Sequence, residues 1–262
     1  MKKIIINSKE YIKYPKKYIK ISRNQLLIFD ALLNDGGMSK KYLDSNKKIR
    51  YSEHSGLLDF NASKLEKIII SGNTKREDED DTDILLPHDL PDSVNYEYMF
   101  HTHPPTPYPG GRAKDGILYE FPSISDIYHF IHYFNLGETQ GSIIIAPEGI
   151  YIIKARTGLD KITYDEKKEN DIYDILQLKQ LEIQEKAINE YGVNFTSDRF
   201  LRYISQDKKY VKFFNKLLYK YFNKQIKVTY KPRSYDKQTG QWMVDSLYLS
   251  VESIEPKKNK LD

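Results

Sequence analysis

The sequence predicts an α+β chain with α/β-like character: a mixed β-sheet flanked by helices, followed by a C-terminal region of further helices and strands. Three observations carry that expectation. Apolar residues recur at helical spacing in separate stretches, and short apolar runs bounded by turn residues lie between them. The 22 Tyr and 11 Phe among 262 residues supply more aromatic core than a disordered chain carries.

Taken in chain order, residues 22–34 (SRNQLLIFDALLN) set Leu26, Leu27, Phe29, Leu32 and Leu33 on one helical face, with Ser22 as N-cap and Gly36-Gly37 as a stop. IRYSEHSGLLDF and KLEKIIISG, joined by Asn61-Ala62-Ser63, read as a hairpin or two consecutive strands. The acidic run KREDEDDTD, at 75–83, precedes Pro87 and Pro91 and is expected as a solvated loop. NYEYMFHTH is a strand ended by Pro104. PPTPYPGGRAKDG, with four prolines and three glycines in thirteen residues, can propagate neither helix nor sheet. After Pro122, the apolar residues Ile124, Ile127, Tyr128, Ile131 and Phe134 predict a helix, and SIIIAPEGIYIIKA predicts two strands about a Pro147-Glu148-Gly149 turn. These elements make a first domain of residues 1–160.

Residues 161–262 form the C-terminal extension, of no assigned role. Its 165–191 stretch is charged and helical in period. A second helical stretch, 198–223, places Phe200, Ile204, Val211, Phe214, Leu218 and Tyr221 on one face, a core stripe rather than a base-stacking platform. Strand-like runs return over 226–254 about an Asp236–Gly240 turn, and the tail EPKKNKLD is expected to fray.

Composition excludes several functions. With no Cys there is no disulfide framework, thiolate metal site or Cys nucleophile, so any metal must take His, Asp or Glu. A net charge of +4 over 262 residues, pI about 8.8, is too mild and unclustered to point to nucleic acid. The Ile4–Ile6 run is shorter than the roughly 7–15 residues of a signal peptide's apolar segment, and no run approaches the ~18 apolar residues of a membrane span. The expectation is an intracellular protein with no membrane partner. The Lys, Ile, Asn and Tyr bias is that of an AT-rich coding sequence, as in a large virus or an AT-rich microbe; a viral chain would work in the host-cell cytoplasm.

Chemistry concentrates in one place. His101 and His103 are two apart on a strand, so both imidazoles point to one side and can grip one ion at about 2.0–2.1 Å. Asp126, in the first turn of the next helix, can add an oxygen ligand. Ser123 and Asp126 also have the spacing of a helix capping pair, which would itself hold the carboxylate in place. Two His and one carboxylate with a position left for water is a hydrolytic arrangement. His129 and His132 read as helix-face residues, and His54 points to the other strand face.

HTHP followed by PSISD resembles the HxHP…SxxD signature of the JAMM metallopeptidases, the zinc-dependent branch of the MPN domain family. Glu53 and Gly56, in SEHSGLLDF, are similar to that family's ExxG element, and the resemblance covers residues 20–156. It implies an MPN-type mixed sheet flanked by helices, Zn²⁺ as cofactor on His101, His103 and Asp126, Glu53 as general base on the zinc-bound water, and Ser123 as a stabiliser of the tetrahedral oxyanion. The activity implied is hydrolysis of a peptide or isopeptide bond in a protein or peptide substrate, with ubiquitin or a ubiquitin-like modifier among the partners. The reading from another class is a catalytically silent MPN-like scaffold. Asp126 lies 23 residues beyond His103, farther than the family's usual gap, with the Pro/Gly-rich stretch filling the difference. Leu58-Asp59-Phe60 replaces the family's glycine-rich stretch. Glu97, four residues before His101, competes with Glu53 for the role of base but sits away from the metal.

Overall fold

A computed structural model describes residues 2–6, 9–13, 17–35, 41–43, 47, 49–51, 53–61, 64–71, 96–103, 121–137, 139–191, 198–252 and 254–256. The fold is α+β, as expected. At its centre is a six-stranded mixed sheet built from β6 (Ser55–Phe60), β7 (Leu65–Ile70), β8 (Tyr98–Thr102), β9 (Gly141–Ala146), β10 (Gly149–Ala155) and β11 (Ile226–Pro232). Their spatial order is β11-β10-β9-β8-β6-β7. Only β8 and β9 run parallel, with His101 opposite Ile144. A parallel pair needs a crossover, and α2 (Ile124–Leu136) provides it.

Alternation sorts the side chains of this sheet onto two cores. Leu58, Tyr98, Phe100, Ile143 and Ile145 pack with Leu26, Phe29 and Leu33 of α1 (Arg23–Asn34). The residues between them, Leu57, Met99 and Ile144, pack with Ile124, Ile127, Phe130 and Ile131 of α2. Strand β9 is buried on both faces, which is why GSIIIA reads as a continuous apolar run instead of alternating. Of the run expected from residue 49, Ser55–Phe60 pairs with Leu65–Ile70 as a hairpin while Ile49–Tyr51 pairs elsewhere, and the two strands expected over 142–155 pair about their turn.

The stretches on either side of residue 160 share one sheet and one core. Strand β11 pairs along the whole of β10, from Ala155 opposite Ile226 to Gly149 opposite Pro232. Phe214, Leu218 and Phe222, in or just after α4 (Lys209–Tyr221), join the α2-side core together with Ile172 and Leu176 of α3 (Glu169–Tyr191). The stripe expected over 198–223 is broken in two: a π-helical turn spans Phe200–Ile204, and Asp207 then accepts the Lys209 amide at 2.8 Å to start α4 afresh.

Smaller sheets complete the structure. Strands β1 (Lys2–Ile6), β2 (Lys9–Lys13) and β15 (Ile254–Pro256) make one, and β3 (Lys17–Ile21) pairs with β14 (Leu247–Val251). Glu255 and Pro256, expected to fray with the tail, instead pair with Ile12 and Tyr11 of β2. Two further hairpins are β4 (Lys41–Leu43) with β5 (Ile49–Tyr51), and β12 (Ser234–Asp236) with β13 (Gln241–Met243) about the predicted turn. The Gly36-Gly37 stop, the acidic run at 75–83, the Pro/Gly-rich stretch at 104–116 and the tail beyond Pro256 lie outside the described residues. Among those described, no helix is long and apolar enough to cross a membrane.

Candidate metal centre

The site is built where β8 ends and α2 begins. Met99 faces the α2-side core, and period-2 alternation carries His101 and His103 to that same side. Both are buried, at 1% and 6% exposure. Their Nε2 atoms stand 2.9 Å apart.

Asp126 meets them from the first turn of α2. Its Oδ1 is 3.1 Å from His101 Nε2 and its Oδ2 is 3.5 Å from His103 Nε2. The capping pair read from the sequence is present and holds this carboxylate: Ser123 Oγ accepts the Asp126 amide at 3.1 Å, and Asp126 Oδ2 accepts the Ser123 amide at 2.6 Å. Burial alone would raise the Asp126 carboxyl. Attraction from His101 and His103, with hydrogen bonds from both rings, overcomes it and holds the group well below the ordinary carboxylate range.

One donor atom from each of the three residues lies within 4.8 Å of the others, and all three residues are buried. Donors each about 2.0–2.1 Å from one tetrahedral ion would be separated by roughly 3.3 Å. The two imidazole nitrogens are 2.9 Å apart, and the carboxylate brings Oδ1 to 3.1 Å from one and Oδ2 to 3.5 Å from the other, spacings of the same order. The donor set therefore fits a small divalent cation with N/O preference, with His101, His103 and Asp126 as its ligands. His101 Nδ1, which would carry the proton of a ring ligating through Nε2, is buried without a hydrogen-bond partner among the described residues.

Glu53, half-buried, stands at the start of the neighbouring strand. Ser55 is opposite His101, and the ladder continues one step beyond β6, with Thr102 N–H donating to the His54 carbonyl at 2.8 Å. Glu53 precedes that last paired position by one residue and, among the described residues, is not in the group that could hold a metal. Gly56 is what lets these strands approach: a Cβ there would fall 1.9 Å from the Ile69 carbonyl oxygen and 2.7 Å from the Phe100 ring. Glu97 is spent elsewhere, its Oε2 accepting the Phe60 amide at 3.0 Å, and four strand residues put it about 13 Å from His101.

His54 points to the other face, as expected, where its Nε2 meets Asp35 Oδ2 at 2.9 Å just past the end of α1. His132 lies exposed with its ring against Tyr133, and among the described residues neither it nor His129 joins a metal-binding group. One neighbour was missed from the sequence. Tyr210 of α4, read as core, stacks on Phe121 at 3.6 Å, two residues before the Ser123 cap. Its hydroxyl is pushed up by burial and by the charge of Asp126. Only the periodicity of 198–223 marked it, and periodicity cannot tell a core tyrosine from one beside a site.

No protein-family model matches the chain, and no solved structure matches it. A viral protein does: the uncharacterized protein R413 of Acanthamoeba polyphaga mimivirus is 36% identical over 256 residues, which are 94% of this chain and 68% of the relative. The chain belongs to the R413 family. Its relative's name assigns no activity, so R413 membership leaves the chemistry to be argued from the donor geometry.

Proposed function

We propose that the chain is a zinc-dependent metallohydrolase of JAMM type that cleaves a peptide or isopeptide bond, with ubiquitin or a ubiquitin-like modifier in the class of substrates. The observation that carries this reading is the convergence of His101 Nε2, His103 Nε2 and an Asp126 carboxylate oxygen in one buried group. Three protein donors, the number found among the described residues, are the set used by catalytic zinc. When bound there, zinc would supply Lewis-acid polarisation of a carbonyl and would lower the pKa of a water to about 7.

The chain's own groups divide the remaining work. Glu53, one residue before the position whose carbonyl accepts from Thr102, takes a proton from the attacking water on its carboxylate and returns it to the leaving nitrogen. Ser123 Oγ spends a lone pair on the Asp126 amide, which leaves its O–H to donate to the carbonyl oxygen as negative charge develops. The capping bonds keep Asp126 aimed at the two imidazoles, whose attraction keeps it ionised.

The test is zinc content together with hydrolysis of ubiquitin-chain and unmodified-peptide substrates. The expected result is one zinc per chain, activity abolished by chelator, and Glu53→Gln losing activity while keeping its zinc. A Glu53→Gln protein as active as the parent, or a His101→Ala protein that binds zinc as tightly as the parent, would overturn the reading.

A further inference from the structure

A second polar constellation lies on the α1 side of the sheet. Asp30, on α1, takes a hydrogen bond from each of two guanidinium groups: Arg23 Nη1 reaches its Oδ2 and Arg233 Nη1 its Oδ1, both at 2.8 Å. Arg233, only 8% exposed, is further pinned by Nε donating to the Pro147 carbonyl at 2.8 Å. Its Nη2 makes no hydrogen bond among the described residues, and neither does that of Arg23. These three residues line a cleft of about 560 Å³, whose other walls include Leu27, Pro147 and Trp242.

We propose that this cleft binds a carboxylate carried by an extended peptide segment. Both arginines keep guanidinium N–H donors beyond those given to Asp30, which suits a singly charged anion, whereas the doubly charged phosphate would face stronger repulsion from Asp30 and from Asp236, whose charge Arg23 also feels. Guanidinium groups held by other bonds present their remaining N–H donors at little entropic cost, and their planar fork suits a carboxylate. The volume falls in the range of ligand pockets and far exceeds a single ion. Leu27, 47% exposed, and the half-buried Trp242 ring, anchored by Nε1 on Asp198 at 2.7 Å, offer apolar wall to neighbouring side chains. Asp236 does not line the cleft, and its carboxylate is engaged by Thr239 and the Gln238 amide, but it also feels the Arg23 charge. The site stands apart from the metal donors and does not depend on zinc chemistry.

Two carboxylate sources are compatible, an acidic side chain and a chain terminus, and fluorescence anisotropy on the full chain separates them. The probes are labelled peptides of alternating Leu and Gly: one with a central Glu and an amidated end, its Gln counterpart, and a Glu-free peptide with a free terminal carboxylate. At least one acidic peptide should bind at least tenfold more tightly than the Gln peptide, and whichever does so names the source. Arg23→Gln, and separately Leu27→Glu at an exposed wall position, should each weaken that binding at least tenfold without altering zinc content. Equal binding of acidic and neutral peptides, no binding by any, or unchanged affinity in both variants overturns the proposal.

Discussion

At the scale of single residues, the charge of Asp126 and its place in the capping pair are separable. Asparagine at 126 keeps an oxygen for the Ser123 amide but removes the anion that faces both imidazoles. Asp126→Asn should leave circular dichroism unchanged and weaken zinc binding by at least about 100-fold, the upper end of what changes around the ligands cost; equal zinc affinity would remove Asp126 from the ligand set. Glu97 makes a pH prediction. Burial first, then the charge of Asp59, pushes its carboxyl up to about 7 despite the Phe60 amide, against an ordinary value of 4.5. Between those pH values the folded chain holds a proton on Glu97 that the unfolded chain has released, so this group's contribution to stability is fully present below pH 4.5 and is lost as pH rises through 7. The loss is roughly 2–3 kcal/mol, and Glu97→Gln should flatten urea-melt stability across that window.

At the scale of elements, the strand-to-helix passage from β8 to α2 joins a structural cap to a chemical role. Ser123→Ala should cost about 1 kcal/mol of stability through the lost cap. It should also lower the rate of hydrolysis by roughly 10²–10³ if the hydroxyl donates to the oxyanion. Thermal melts and kcat on the same protein separate the two effects, and a kcat unchanged beside a lowered Tm would leave Ser123 as a cap alone. The helices at 124–136 and 23–34 were legible because their apolar spacing and their Ser caps are local signals. The break before α4 was not, because the Asp207 cap competes with a stripe whose period runs on through it.

For the whole molecule, the C-terminal region is part of the fold that carries the site. Phe214, Leu218, Phe222, Ile226 and Val228 are each at most 1% exposed and pack in the core that contains α2. At roughly 1.5–3 kcal/mol for each buried side chain, removing them costs about 10 kcal/mol, as much as a domain's whole stability. A fragment of residues 1–160 should therefore show no cooperative thermal transition and no stoichiometric zinc. A fragment that melts cooperatively with zinc bound would show the N-terminal part to be self-sufficient.

What the sequence determined by itself is which groups are available and which way each local segment turns them. HTH on a strand shares a face, Ser123 and Asp126 lie one helical turn apart, and the absence of Cys restricts a metal to N and O donors. Tertiary structure alone decided which of these groups meet. His101 and Asp126, 25 residues apart, come within 3.1 Å. The register of β6 on β8 sets Ser55 opposite His101, while Glu97 is drawn off to the Phe60 amide. Arg23 and Arg233 converge on Asp30 across most of the chain. The reason is physical: periodicity and capping act over a few residues and are written in neighbouring letters, whereas strand pairing and helix docking are chosen by the burial of the whole apolar surface at once.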